Sequence, residues 1–229
     1  MNNGKIYTEF KISFENDFIN RFYNVTPAQT KMLKKMTLRV HGKIDKIFIR
    51  KLEKLAKENP NLPQIKNFIT VAYYKVGNTA KSLEVNTQIL HDFPDYLHAR
   101  LNAANHHIHK DEPDHALAYL GENLDLGALF PNRAEFHFSE VQSYYYTTVI
   151  YAIAKRDLPL AENRFEVYIS IDEDNPRIDE LAERIADLKF DLTIDKHNEI
   201  SERIGNEPPV TDRIIPPVFN HQEIHQLYQ

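Results

Sequence analysis

The chain has 229 residues, 42% of them hydrophobic and 11% aromatic, which is ample for a packed core and too much for a disordered chain. A formal net charge of −5 argues against nucleic-acid binding, and the absence of cysteine removes disulfides, thiolate metal sites and cysteine nucleophiles. No run approaches the roughly 18 apolar residues of a membrane span, and the first ten residues lack the apolar centre of a signal peptide, so no membrane is expected and the compartment expected is the cytoplasm.

Residues 1–25 form an aromatic-rich lead with Tyr7, Phe10, Phe14, Phe18, Phe22 and Tyr23. Phe10, Phe14, Phe18 and Phe22 at intervals of four suit a helix stripe. Ile6, Phe10, Ile12 and Phe14 about Thr8 also suit a strand that alternates faces, and the helix is favoured only over 15–23. Thr26-Pro27 then gives an N-cap and a proline at the first helical position, so a helix is predicted through Val40. His41-Gly42-Lys43 breaks it. A second helix over Ile44–Glu58 carries an apolar stripe of Ile44, Ile47, Phe48, Leu52 and Leu55. Lys31 to Lys57 is the most basic stretch of the chain, and its cations are read as solvated helix faces.

Three segments close in the same way, as AKENP at Pro60, LHDFP at Pro94 and GALFP at Pro131, with the first two prolines 34 residues apart. The clearest unit lies between Pro60 and Pro94: a helix over Gln64–Val76, a Gly77-Asn78 turn, and a helix from Ser82 to His91. A second unit spans Leu97–Pro131, with Leu101, Ala104 and Ile108 on its first helix and Ala116, Leu117, Leu120 and Leu124 on its second. Its exit carries three additional residues around Asp125–Leu129, to be absorbed by a longer loop or an added turn. A third unit runs from Ala134 to Pro176, with a long first helix and a turn at Lys155-Arg156-Asp157. An amphipathic helix from Pro176 to Ile204 follows, with Ile178, Leu181, Ile185 and Leu188 on one side. Beyond Gly205, Pro208-Pro209 and Pro216-Pro217 predict an extended tail.

The stretch AYYKVGNTAKSLEVNTQILHDFP resembles the tetratricopeptide repeat family: Tyr73 matches the aromatic before the inter-helix turn, Gly77 the turn glycine, Ser82 the small residue of the second helix, and Pro94 the closing proline. Lys66, Thr70 and Asn86 depart from it, standing where the family has a large aromatic, a tight glycine and a second-helix aromatic. The resemblance implies an all-α fold: a right-handed α-solenoid of three to four helical hairpins over 26–204, closed by a C-terminal capping helix, with the lead at 1–25 and the Pro-rich tail at 205–229. It also implies a non-enzymatic scaffold that holds a peptide or partner protein in a concave groove lined by the first helices. Mapped onto this sequence, the groove takes Asn67, Val71, Tyr74 and Lys75 from the first of these units, His98, Asn102, Asn105 and His109 from the next, and Ser143, Tyr146, Thr147 and Ile150 from the third. Family members that dock acidic carboxyl termini use basic side chains in the third unit. Ser143 and Thr147 stand there instead, which argues against that ligand.

No cofactor, catalytic residue or metal ligand is assigned. The alternative reading is a metal or hydrolytic site near His106–His115, a cluster of His106, His107 and His109 with Asp111, Glu112, Asp114 and His115 in which His106 and His109 share a helix face, although His107 also stands at the aromatic packing position that Tyr73 fills one unit earlier. There is no glycine-rich phosphate loop and no GxSxG elbow. His221 and His225 about Glu223 lack the HExxH order of zinc peptidases, and Asp172-Glu173-Asp174 reads as a helix exit. The apolar Ile214–Phe219 of the tail is a further occupant for the groove, of the same chain or a neighbour, and the aromatic lead is a surface for a homodimer.

Overall fold

The computed structural model describes residues 9–15 and 18–206. They divide between two units, 1–188 and 189–229. Among the described residues there are eleven helices and two three-residue strands, so the class is all-α as expected.

The lead holds both of the structures its pattern allowed. Lys11–Ser13 is strand β1 and Phe18–Phe22 is the short helix α1. β1 pairs in parallel with β2 (Glu135–His137), Ile12 opposite Phe136. This corrects the expectation that Phe136 lies on the first helix of the unit starting at Ala134: residues 135–137 are extended, and α9 (Phe138–Ala154) starts only after His137. There Glu140 closes a capping box by accepting the His137 amide at 3.0 Å. Lead aromatics spend their faces within the chain, Phe10 on Phe136 at 5.1 Å and Tyr23 on Tyr96 at 5.7 Å. Between them lies an ion pair in which the Arg133 fork grips the Glu140 carboxylate, both side chains less than a tenth exposed.

Helix α2 (Pro27–His41) starts where Thr26-Pro27 predicts, with a Thr26–Gln29 capping box, and stops at Gly42. α3 (Lys46–Glu58) starts two residues later than Ile44, because Asp45 is the N-cap and takes the Phe48 amide at 2.7 Å. Its apolar stripe is also corrected. Ile47 is 77% exposed, and Ile49 takes its place beside Phe48 and Leu52, against Met36 and Val40 of α2 and Ile69 and Ala72 of α4 (Pro63–Lys75).

The chain then repeats one local geometry three times. α4 and α5 (Thr79–Asp92), α6 (Leu97–His109) and α7 (Pro113–Leu120), and α9 and α10 (Leu158–Ile171) form the three closest helix pairs. Each turn has one left-handed residue, Gly77, Asp111 and Arg156, with φ of 78°, 59° and 55°. In each, the next amide reaches back five residues: Asn78 to Tyr73, Glu112 to His107 and Asp157 to Ala152, at 2.9, 2.9 and 3.1 Å. This is the Schellman closure of a helix end. Four residues after each of those amides comes a small buried residue, Ser82, Ala116 or Ala161, where the second helix crosses the first. The proline exits repeat as well. Asn59, Phe93 and Phe130 have φ/ψ of −133°/65°, −139°/70° and −127°/70°, one shared conformation outside the α region, from which a following proline excludes them.

The second pair is shorter than its sequence pattern. α7 ends at Leu120, followed by Gly121 at φ 80°, and Leu124 lies outside the helix at φ 50°. The extra residues add a turn, α8 (Leu126–Leu129), capped by Asp125. Buried groups of the third pair hold this detour: the Tyr144 hydroxyl donates to the Leu120 carbonyl at 2.7 Å, and Arg164 donates to that of Leu124 at 3.1 Å. α11 (Ile178–Asn206) buries Leu181, Ile185 and Leu188, with Ile178 partly covered. In the second unit, Phe190, Ile194 and Ile200 of the same helix are exposed.

Candidate functional site

Helices α4, α5 and α6, with one side chain from α9, enclose a cleft of about 330 Å³. Six residues expected to line a groove meet there: Val71 and Tyr74 of α4, Asn102, Asn105 and His109 of α6, and Tyr146 of α9. Asn67 stands next to it, accepting a bond from the Asn102 amide at 2.8 Å. The other five expected residues lie elsewhere, Ser143 in a neighbouring hollow. Lys75 turns its ammonium to the carbonyls of Val40 and His41, at 2.8 and 3.2 Å, where a cation suits the end of α2. His98 packs on Tyr96 at 5.5 Å, and burial pushes its imidazole below the ordinary histidine value. Ile150 is 7% exposed and belongs to the core, as does Thr147.

The floor of the cleft is polar and already hydrogen-bonded. The Asn102 amide donates both to Asn67 and, at 3.2 Å, to the Asn86 carbonyl oxygen, while the Asn86 amide donates to the Ala99 backbone at 2.9 Å. Asn86 is 3% exposed, so this ladder joins α4, α5 and α6 below the surface. Beside it the Ser82 hydroxyl donates to the Thr70 carbonyl at 2.9 Å, and the Thr70 hydroxyl donates within its own helix to Lys66. Thr70, Ser82, Asn86 and His106 line the cleft although sequence mapping did not place them there. A signal for two of them was present: Thr70 and Asn86 are polar where the tetratricopeptide pattern has a glycine and an aromatic.

No Asp, Glu, Lys or Arg is among the described residues that line the cleft. His106 is held below its ordinary pKa by burial first and then by Lys110 and His107. Tyr146 is pinned at the rim by its hydroxyl on Glu180 at 3.1 Å and by the Arg177 guanidinium 4.6 Å above its ring. Burial, then Glu180, raises that phenol above its usual value. Tyr146 also lines a second hollow of about 280 Å³ with Ser139, Ser143, Tyr168 and Arg177, so the two recesses meet at one ring.

The histidine cluster divides in two. His106 and His109 both line the cleft, and His109 Nδ1 lies 2.6 Å from the carbonyl oxygen of Asn105 in its own helix. His107, Glu112 and His115 instead converge at the α6–α7 turn. Asp114 is engaged by Lys155 at 2.7 Å, and Asp172 accepts bonds from Gln142 and Asn175. The tail motifs at His221–His225 and Ile214–Phe219 lie outside the described residues. No family model, curated protein or solved structure matches this chain.

Proposed function

We propose that this chain is a non-enzymatic interaction module of tetratricopeptide-like hairpins, stacked as a right-handed α-solenoid, whose α4–α5–α6 cleft binds an uncharged, extended peptide segment of a partner protein. The observation that carries the reading is the partly buried Asn67–Asn102–Asn86 ladder under an aromatic rim of Tyr74 and Tyr146. Amide side chains offer both a donor and an acceptor to a peptide backbone, and tyrosines bury apolar side chains at small entropic cost. Three hairpins with one turn geometry and one small-residue crossing are what repeat stacking requires.

The cleft sits at the small end of ligand pockets, suited to a few side chains. Its uncharged lining disfavours a carboxylate or phosphate ligand, since desolvating an anion there finds no counter-charge. Among the described residues no helix is long and apolar enough to cross a membrane. A partner in the cytoplasm, with no nucleic acid and no cofactor, completes the proposal. The chain's own tail and a second copy are further occupants that the same experiment separates.

The test is selection from a random peptide display library against the full chain, followed by titration of the enriched peptides. Asn102→Ala and Tyr146→Ala are expected to weaken binding about tenfold each, the loss of one or two contacts worth ~1.4 kcal/mol, with helical content unchanged. Enrichment of no sequence, or of peptides indifferent to both substitutions, overturns the proposal. Repeating the titration with residues 206–229 deleted shows whether the tail competes.

A further inference from the structure

We propose that His107, Glu112 and His115 form a binding site for a divalent ion of the zinc class, clamped across the α6–α7 turn. The site follows from the backbone. His107 lies in the last turn of α6, Glu112 is the residue before α7, and His115 is in the first turn of α7. The left-handed Asp111 and the bond from the Glu112 amide to the His107 carbonyl fold residue 112 back against residue 107. Side chains three to eight positions apart in the chain are thereby brought onto one centre.

The donor atoms converge on a single carboxylate oxygen. His107 Nδ1 lies 3.0 Å and His115 Nδ1 3.5 Å from Glu112 Oε2, and one ligand atom from each residue lies within 4.8 Å of the other two. Around a tetrahedral zinc ion with bonds of about 2.0–2.1 Å, donors stand about 3.3 Å apart, so the two distances to Glu112 bracket the required value. The third separation closes by rotation of His115, whose side chain is 71% exposed. His107 is the fixed member: its ring stacks on Tyr119 at 5.8 Å and 16°.

Two imidazoles and one carboxylate are the donor set of open zinc and non-haem iron sites. Calcium and magnesium prefer all-oxygen shells and suit it poorly. Three protein ligands leave coordination positions facing solvent, where water or a donor from another molecule completes the shell. Lys110 is the neighbouring positive charge that opposes a cation here, and it lies outside the triad. An ion here stabilises the folded chain by mass action, because the unfolded chain lacks the converged donors.

The experiment is calorimetric titration of the chelator-treated full chain with zinc chloride, and with cobalt(II) for its visible absorption. One ion per chain is expected, with a rise in melting temperature on adding metal. His115→Ala and Glu112→Gln, both at exposed positions, are expected to weaken binding by at least about tenfold, with helical content unchanged. The pair His221→Ala and His225→Ala is expected to leave binding unchanged, which separates this site from the tail histidines. Absence of saturable binding overturns the proposal, as does binding that survives His115→Ala and Glu112→Gln or disappears with the tail pair. Peptide binding in the cleft is a separate matter, and neither result depends on it.

Discussion

Replacing Glu140 by glutamine tests what holds the aromatic lead against the helical body. The carboxylate is 5% exposed and takes both arms of Arg133, whose guanidinium also sits 4.3 Å from the Phe136 ring centre and 4.7 Å from that of Phe22. Glutamine keeps the shape and one acceptor but leaves the buried cation without a counter-charge. Removing one partner of a buried pair costs about 3–5 kcal/mol, and the retained acceptor puts Glu140→Gln near the lower end, ~3 kcal/mol. For a chain of this length each kcal/mol moves the melting point by about 2–4 °C, so a fall of roughly 6–12 °C is expected. Replacing both partners, as Arg133→Met with Glu140→Leu, removes the stranded charge and loses mainly the cap on the His137 amide, ~1 kcal/mol. Urea unfolding followed by circular dichroism gives the two values, and trypsin cleavage at Arg21 reports whether the lead loosens first. A Glu140→Gln protein within about 0.5 kcal/mol of the parent would refute the reasoning.

Arg164 is fully buried, donates one bond to the Leu124 carbonyl, and among the described residues has no partner for Nε or the second terminal nitrogen. Arg164→Met is therefore expected to be neutral or to stabilise by about 1–2 kcal/mol in urea, and a clear loss of stability contradicts that. Asp92 is pulled down to about 2, first by the bond from Lys66 and then by His91 and Gln88. A depressed carboxyl adds stability that is complete above the ordinary value of 3.8 and disappears as pH falls towards 2. Wild type is expected to exceed Asp92→Asn in stability at pH 5 and to match it near pH 2, and a gap that is constant with pH removes the Lys66 link.

The repeat was legible because its marks are local. Prolines at 60, 94 and 131 drive the preceding residue out of the α region, Thr26-Pro27 sets a helix start, and Gly77 permits a left-handed turn at no steric cost. Asp111 and Arg156 adopt the same conformation without being glycine, so the equivalence of the three turns could be read from spacing but not from residue type. The strand pair was hidden for a different reason: β1 and β2 are three residues each and more than 120 positions apart in the chain, so only tertiary contact defines them. Ile47 and Ile49 show the limit of a helical stripe, since both lie beside an apolar face and the packing of α2 and α4 decides which is covered.

The cleft was half legible. Val71, Tyr74, Asn102, Asn105, His109 and Tyr146, read from first-helix positions, line one cleft, because helical periodicity fixes which side chains share a face. Lys75, His98 and Ile150 went elsewhere as each sits at a helix end or beside a longer neighbouring helix whose packing the period does not encode. The second-helix residues Ser82 and Asn86 reach the cleft between the first helices. Departure from an expected apolar residue marks a buried polar contact more reliably than agreement does.

The most direct measurement of the central claim is the NMR shift of the side-chain amides of Asn86 and Asn102 as a display-selected peptide is titrated into the full chain. The peptide-binding account predicts saturable shifts at both amides and at Tyr74 and Tyr146, with a midpoint equal to the calorimetric affinity. Saturable binding that leaves these four residues unmoved while shifting others would contradict it.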